Sequence, residues 1–178
     1  MQNLSPMQDN EELLQLFQAD QLEHNDTDDQ IVDLSTVSAK DVDRLARVKQ
    51  LYQEGKIRTG ADYFYAALIL QHSNNSIEDY LLAHEFCVIS IIKGHVPARW
   101  LAAATEDRFL ISRGQPQRFG TQYRVDEEGG WQLYEVDPDV TDGLRQSMDV
   151  PPLEEARSRE TSPRWRPRFG ADDRFFFN

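Results

Sequence analysis

The sequence predicts a mainly α-helical protein, a compact bundle of about five helices with a small β-hairpin and a C-terminal tail. Apolar residues recur at three- and four-residue spacing through most of the first 112 positions, which is typical of helices packed on a core. Glycine, asparagine and proline interrupt these stretches at short intervals, as the ends of helices do. After Gly114 the pattern changes to short β-prone segments around a glycine-rich turn.

Five stretches have helical periodicity and suitable ends. The third and fourth are apolar on nearly all sides, so we expect them inside the bundle. Serines precede the second and fourth stretches as N-cap residues, and glycines end the second, fourth and fifth. The predicted helices are 11–23, 39–53, 61–72, 77–93 and 97–112.

Two short segments, 121–125 and 131–136, flank the turn sequence Asp-Glu-Glu-Gly-Gly. Such an arrangement predicts a β-hairpin. A short helix is expected at about 139–148, before two consecutive prolines close the domain. Helix pairs joined by short turns also occur in helical repeats, but no fixed period extends over three units here. The predicted organisation is a flexible N-terminus at 1–10, a single helical domain at 11–156 and a tail at 157–178.

The charge of the chain is strongly acidic, with a formal value of -12. A balance of this sign argues against nucleic acid or an anionic membrane as the main partner. The tail is different, because six arginines there face only three acidic residues. It would dock on its own acidic domain or bind an acidic partner. Its last apolar residues, Phe175 to Phe177, would clamp onto the domain or onto a second copy, which would form a homodimer.

The location predicted from the sequence is the cytoplasm. Cys87 is the single cysteine, so an internal disulfide is excluded and a reducing compartment fits. The first residues lack the basic flank and apolar run of a signal peptide. The longest apolar region, 80–92, is too short to cross a bilayer. We therefore expect a soluble protein without membrane contact.

Several ionisable side chains occupy helix positions that should be buried. His84, Glu85 and Asp107 each have apolar residues three and four positions away. A buried charge without a partner costs about 3–5 kcal/mol, so these groups should meet one another or a ligand. A satisfied polar network that fixes helix register is one explanation. His72 at a helix end and Arg108 beside Asp107 favour a functional pocket instead.

Metal and nucleophile motifs are not recognisable. His84-Glu85 would need a second histidine at position 88 to form a zinc-protease motif, and Val88 stands there. The four histidines lack metal-ligand spacing, so neither a metal nor another cofactor is expected. A phosphate-binding glycine loop and a serine nucleophile elbow are also missing from the sequence.

The segment 114–122 combines two glycines and a proline with three polar side chains, Gln117, Thr121 and Gln122. Turn chemistry of this kind is common where a helix connects to a strand. Amides and hydroxyls close together can also bind a polar substrate through paired hydrogen bonds. Both interpretations stay open at this point.

A set of short motifs resembles a bacterial family catalogued as domain of unknown function number 6624. The family pattern combines Asp-Gln, Gln-His, Asp-Arg, a Gly-x-x-Gln-x-Tyr-Gly-Thr-Gln segment and a later Arg before Pro-Leu. The resemblance covers about 13–156, and it implies a similar fold and a shared polar pocket but no particular reaction. Two positions depart from the pattern: His24 stands where Arg is usual, and Phe119 where Tyr is usual. The matching positions are Asp20-Gln21, Gln71-His72, Asp107-Arg108, Gly114, Gln117, Gly120-Thr121-Gln122, Arg145 and Pro152-Leu153.

Our leading hypothesis is a protein that binds a small polar or anionic molecule or a peptide, with acid/base enzyme chemistry at the pocket. His72 would carry the proton because the pKa of histidine lies near neutrality, and Asp107 would orient it. Arg108 and Arg145 would hold an anionic group. The residues expected to bind substrate by neutral hydrogen bonds are Gln117, Thr121 and Gln122. The residues expected to support the site without direct contact are Asp20, Gln21, Gln71, His84 and Glu85.

The alternative hypothesis is a non-enzymatic interaction domain, in which the polar cluster is structural and the acidic surface or aromatic tail binds another protein. A pathway accessory protein that only holds an intermediate is a third hypothesis.

Overall fold

A computed structural model describes residues 7–25, 39–73, 76–125 and 130–161. Within these ranges it confirms the predicted fold class, with seven α-helices and one antiparallel pair of strands. The predicted turn at 126–129, the N-cap Ser38, the side chain of His24 and the chain from 162 onward lie outside what is described. The helices and strands are α1 (Glu11–Asn25), α2 (Ala39–Gln53), α3 (Gly60–Leu70), α4 (Ile77–Ile92), α5 (Ala98–Ser112), β1 (Tyr123–Val125), β2 (Trp131–Leu133), α6 (Asp142–Ser147) and α7 (Leu153–Ser158).

Helix α3 is the central element of the bundle, because it contacts α1, α2, α4 and α5. Its side chains from Ala66 to Leu70 are at most 2% exposed. This burial explains why its sequence is apolar on nearly all sides. Full burial of one leucine contributes up to about 1.5–3 kcal/mol, so the five consecutive buried residues hold the surrounding helices in place.

The start of α3 is fixed by Asp62, whose side chain is 1% exposed. Its carboxylate accepts hydrogen bonds from the backbone amides of Asn10 (2.7 Å), Arg58 (2.9 Å) and Thr59 (3.0 Å). The Thr59 hydroxyl in turn accepts from the Asp62 amide, which completes a capping box. These bonds tie the beginning of α1 to the beginning of α3. His72 lies just beyond the opposite end of α3, and each residue between the two ends adds about 1.5 Å along the helix axis.

The hairpin is shorter than predicted. Its strands pair Tyr123 with Leu133 and end at Val125 opposite Trp131. The Tyr134 amide still donates to the Gln122 carbonyl at 3.2 Å, but the next predicted strand residues pair elsewhere: the Gln117 amide donates to the Glu135 carbonyl at 2.9 Å, forming a parallel bridge with Val136. The loop before β1 therefore takes the hydrogen bonds that a longer hairpin would have used.

The sequence had indicated that the domain closes at the two prolines, but the folded chain continues past them. Pro152 instead precedes α7, a position where proline suits the start of a helix. A 3-10 helix, Arg159–Thr161, follows directly. Two contacts secure this segment to the hairpin: the Tyr123 hydroxyl donates to the Ala156 carbonyl at 2.9 Å, and the Leu133 amide donates to Glu160 at 2.8 Å. The first residues of the predicted tail thus belong to the folded domain.

No helix among the described residues combines the length and apolar character that crossing a membrane requires.

His95 makes the stability of this fold sensitive to pH. Its ring packs on Phe64 with centroids 4.9 Å apart, and its Nε2 is buried without a hydrogen-bond partner among the described residues. Burial lowers the pKa of His95, and the charge of Asp9 opposes that effect. Because the folded state favours the neutral ring, this contribution to stability is present above the unfolded pKa of about 6.5 and is lost as pH falls.

We predict that the His95→Asn variant loses stability less steeply than the wild type between about pH 7 and pH 5, because the substitution removes this titration. Urea denaturation of both proteins at several pH values measures the two slopes. Parallel curves for wild type and variant would contradict this role of His95.

Candidate functional site

Asp107 organises the loop between α5 and β1. It is fully buried on α5, and both of its carboxylate oxygens accept two hydrogen bonds from that loop. Burial raises the pKa of Asp107, and the four donated hydrogen bonds oppose that rise. The donors are the Arg118 amide (2.7 Å), the Phe119 amide (2.9 Å), the Thr121 amide (3.0 Å) and the Thr121 hydroxyl (2.8 Å).

Gln117 and Gln122 serve the same loop. The Gln117 carboxamide donates to the carbonyls of Gln122 (3.1 Å) and Tyr134 (3.0 Å), and it accepts from the Gln122 amide at 2.9 Å. The Gln117 side chain therefore links the Gln122 and Tyr134 segments with the kind of hydrogen bonds that a neighbouring strand would make. The Gln122 side chain donates to the Thr121 hydroxyl at 2.8 Å. Of the two sequence interpretations, these contacts support the structural one, because the polar atoms of the loop are largely bound to one another.

Arg145 is also bound to the loop, although we had expected it to hold an anionic group. Its side chain is 1% exposed and its guanidinium already faces four oxygen atoms. With its donors engaged in this way, Arg145 has a structural role, and the prediction of an anion contact is not supported. The acceptors are the carbonyls of Phe119 (3.2 Å), Arg118 (3.1 Å) and Val140 (2.6 Å) and the Asp142 carboxylate (3.4 Å).

His72 belongs to a second polar cluster, at the end of α3. Its Nδ1 lies 3.1 Å from Oδ1 of Asp20, which projects from α1 and is 1% exposed. The other oxygen of Asp20 accepts from the Gln21 side chain at 2.9 Å. Arg44 on α2 is 3.6 Å from Asp20, and it also pairs with Glu23 at 2.7 Å. The cluster thus joins α1, α2 and α3.

The carboxylate beside His72 is therefore that of Asp20. The sequence had suggested Asp107 instead. Asp20 and Gln21, which were expected to support the site from outside, are in direct contact with its central residues. Arg44 was missed altogether. The signal for it was present, because Arg44 shares the buried face of α2 with Val48 and Leu51. An arginine at such a position predicts a buried carboxylate partner.

Arg108 lies between the two clusters. Burial lowers the pKa of Arg108, and the neighbouring Tyr80 and the charge of Asp107 oppose that shift. Tyr80 also donates to the carbonyl of Ser73 at 3.2 Å, next to His72. Arg108 forms no ion pair within 4.0 Å with the described residues, and its buried Nε has no hydrogen-bond partner among them.

The remaining predicted residues fall into three different situations. Nδ1 of His84 lies 3.0 Å from the carbonyl of Ala102, so this ring helps to pack α4 on α5. Glu85 is exposed, and the prediction that it is buried was wrong, because it lies on the outward face of α4 beside Val88. Gln71 is 3% exposed, and its carboxamide has no hydrogen bond to the described residues.

Two open grooves, of about 240 and 270 Å³, lie on either side of Tyr134 and Glu135. Neither is lined by His72, Asp107 or Gln122, so the three residues do not share either groove. In the described part of the chain no three side chains are grouped as a metal site requires. Cys87 is buried, and burial raises the pKa of its thiol, which disfavours the nucleophilic thiolate.

No protein-family model matches the chain, and the searches of curated proteins and of solved structures found no match either. The family resemblance based on the short motifs therefore stays a prediction.

We predict that Asp107→Asn destabilises the protein by about 2–4 kcal/mol, because one carboxylate oxygen becomes an amide donor that faces backbone donors. Urea denaturation measures the loss, and faster hydrogen exchange at Arg118, Phe119 and Thr121 would locate it in the loop. Asp139→Asn is the matched control, since Asp139 is exposed. Equal stability of the two variants would contradict the role given to Asp107.

Proposed function

We propose that this chain binds a small polar molecule at the end of α3 and acts on it by acid/base chemistry, with His72 as the proton carrier. The observation that carries the proposal is the 3.1 Å contact between the His72 ring and the buried carboxylate of Asp20. An ionised carboxylate can only accept, so it holds the proton of the neutral ring on Nδ1. The opposite ring nitrogen, Nε2, is then the one that can accept a proton from a substrate.

Asp20 is suited to orient the ring because its own position is fixed. Gln21 donates to one carboxylate oxygen, and Arg44 lies near the other. A catalytic group must be held within a small range of positions, which such supporting contacts provide. The side chain of His72 is 8% exposed, so little bulk water competes for the ring.

The experiment that tests this proposal has two stages. A thermal-shift screen with small polar metabolites and dipeptides identifies ligands, and mass spectrometry then detects which of them the protein converts. We predict that His72→Gln lowers kcat about 100- to 10,000-fold, as expected for a lost acid/base group, while the ligand still raises the Tm.

His84→Gln is the matched control for that experiment, because His84 also bonds through Nδ1 but to a backbone carbonyl between α4 and α5. This variant should keep the wild-type kcat. Circular dichroism checks that both variants are folded. A screen without any converted ligand, or turnover that survives His72→Gln, would overturn the proposal.

A second candidate function is assembly with another copy of the chain, and it is supported by one exposed apolar stripe. Leu81, Val88 and Ile92 lie on one face of α4 and are 41%, 40% and 78% exposed. Seventeen residues follow Thr161 and end in three phenylalanines and an asparagine. At about 3.3 Å per residue this length can reach a neighbouring molecule, so the occupant proposed for the stripe is Phe175–Phe177 of a second copy.

Analytical ultracentrifugation tests this assembly. We predict that the full chain sediments as a dimer, whereas a chain ending before Arg164 and the Val88→Asp variant sediment as monomers with unchanged circular dichroism. Val125→Asp is the control, since Val125 is similarly exposed on the hairpin. A monomeric full chain, or a dimer that persists after the truncation, would exclude this function.

A further inference from the structure

Three arginines of the domain have buried polar atoms, and two of them are already neutralised or saturated. Arg44 pairs with Glu23 and Asp41 and lies close to Asp20. Arg145 faces four protein oxygen atoms, as described above. Arg108 differs from both, because it forms no ion pair with the described residues and its buried Nε has no hydrogen-bond partner among them.

The geometry points to Arg108 as the recognition site for an oxyanion, a carboxylate or phosphate group of the ligand, at the end of α3 next to His72. This inference rests on the function proposed for that end of α3 and names the class of its substrate. A guanidinium presents planar, paired donors that match the oxygens of such groups. A partly buried cation without a carboxylate at ion-pair distance gains from a ligand that brings one.

The neutral groups around Arg108 fit an anionic ligand better than a second cation. The carbonyl of Ser73 already takes the hydroxyl proton of Tyr80, but the buried hydroxyl of Ser73 has no hydrogen-bond partner among the described residues. Amide and hydroxyl donors can complete the coordination of an oxyanion without adding charge.

The proposed anion site and the proton carrier lie at the same end of α3. Tyr80 lies beside Arg108 and bonds to the carbonyl of Ser73, and Ser73 directly follows His72 in the chain. A ligand anchored by its oxyanion at Arg108 would therefore lie at the same end of α3 as the imidazole. The net charge of -12 repels anions in general, so binding of this kind requires a local cation.

The test uses acetate, succinate and inorganic phosphate as probes for the full chain, at constant ionic strength. Nuclear magnetic resonance of the arginine Nε–H groups follows each titration, and Arg108 itself should shift. The Arg108→Gln variant should bind the probes at least tenfold more weakly. Arg113→Gln is the matched control, because it removes the same charge from an exposed position at the end of α5.

The Arg108→Lys variant covers the case in which Arg108→Gln does not fold, since it keeps the charge but loses the paired donors. It should bind more weakly than the wild type. The inference is overturned if no probe shifts Arg108, or if Arg108→Gln and Arg113→Gln weaken binding equally. His72→Gln separates the two proposals: probe binding that survives this substitution supports the anion site whatever happens to turnover. Loss of probe binding in a folded His72→Gln variant would contradict a site centred on Arg108.

Discussion

A charged or polar group removed from water must be compensated by its neighbours, and this constraint determines the roles of the buried polar residues here. Asp107, Gln117 and Arg145 are compensated completely by the loop between α5 and β1, so they stabilise structure. Asp20 is compensated by Gln21, Arg44 and His72. Arg108 and Ser73 each have a buried polar atom without a hydrogen-bond partner among the described residues, and both lie near the end of α3 where His72 is found.

The consecutive pair Asp107 and Arg108 shows how one helix serves both clusters. Successive residues of an α-helix are rotated by about a third of a turn, so their side chains point to different neighbours. Asp107 turns towards the loop and accepts its four hydrogen bonds. Arg108 turns towards Tyr80 and the end of α3. Adjacent positions of one helix therefore serve a structural cluster and the proposed ligand site.

Helical periodicity and helix ends were enough to predict the five long helices, because those signals are local. The sequence could not show that the loop at Gln117 would pair with the segment after β2, since that pairing joins positions about twenty residues apart. Nor could it show which carboxylate meets His72: we had expected Asp107, and only the packing of α1 against α3 places Asp20 there. We expected Glu85 to be buried because its neighbours on α4 are apolar, but that apolar face of the helix is exposed.

The contact between His72 and Asp20 is the central claim, and the protonation state of the imidazole tests it most directly. Long-range ¹H–¹⁵N spectra of the full chain, recorded at a pH where the ring is neutral, distinguish the two tautomers. The account predicts that the proton resides on Nδ1, donated to Asp20, and that Nε2 is unprotonated. A ring that carries its proton on Nε2 would contradict the account, because Asp20 could not then be accepting from it.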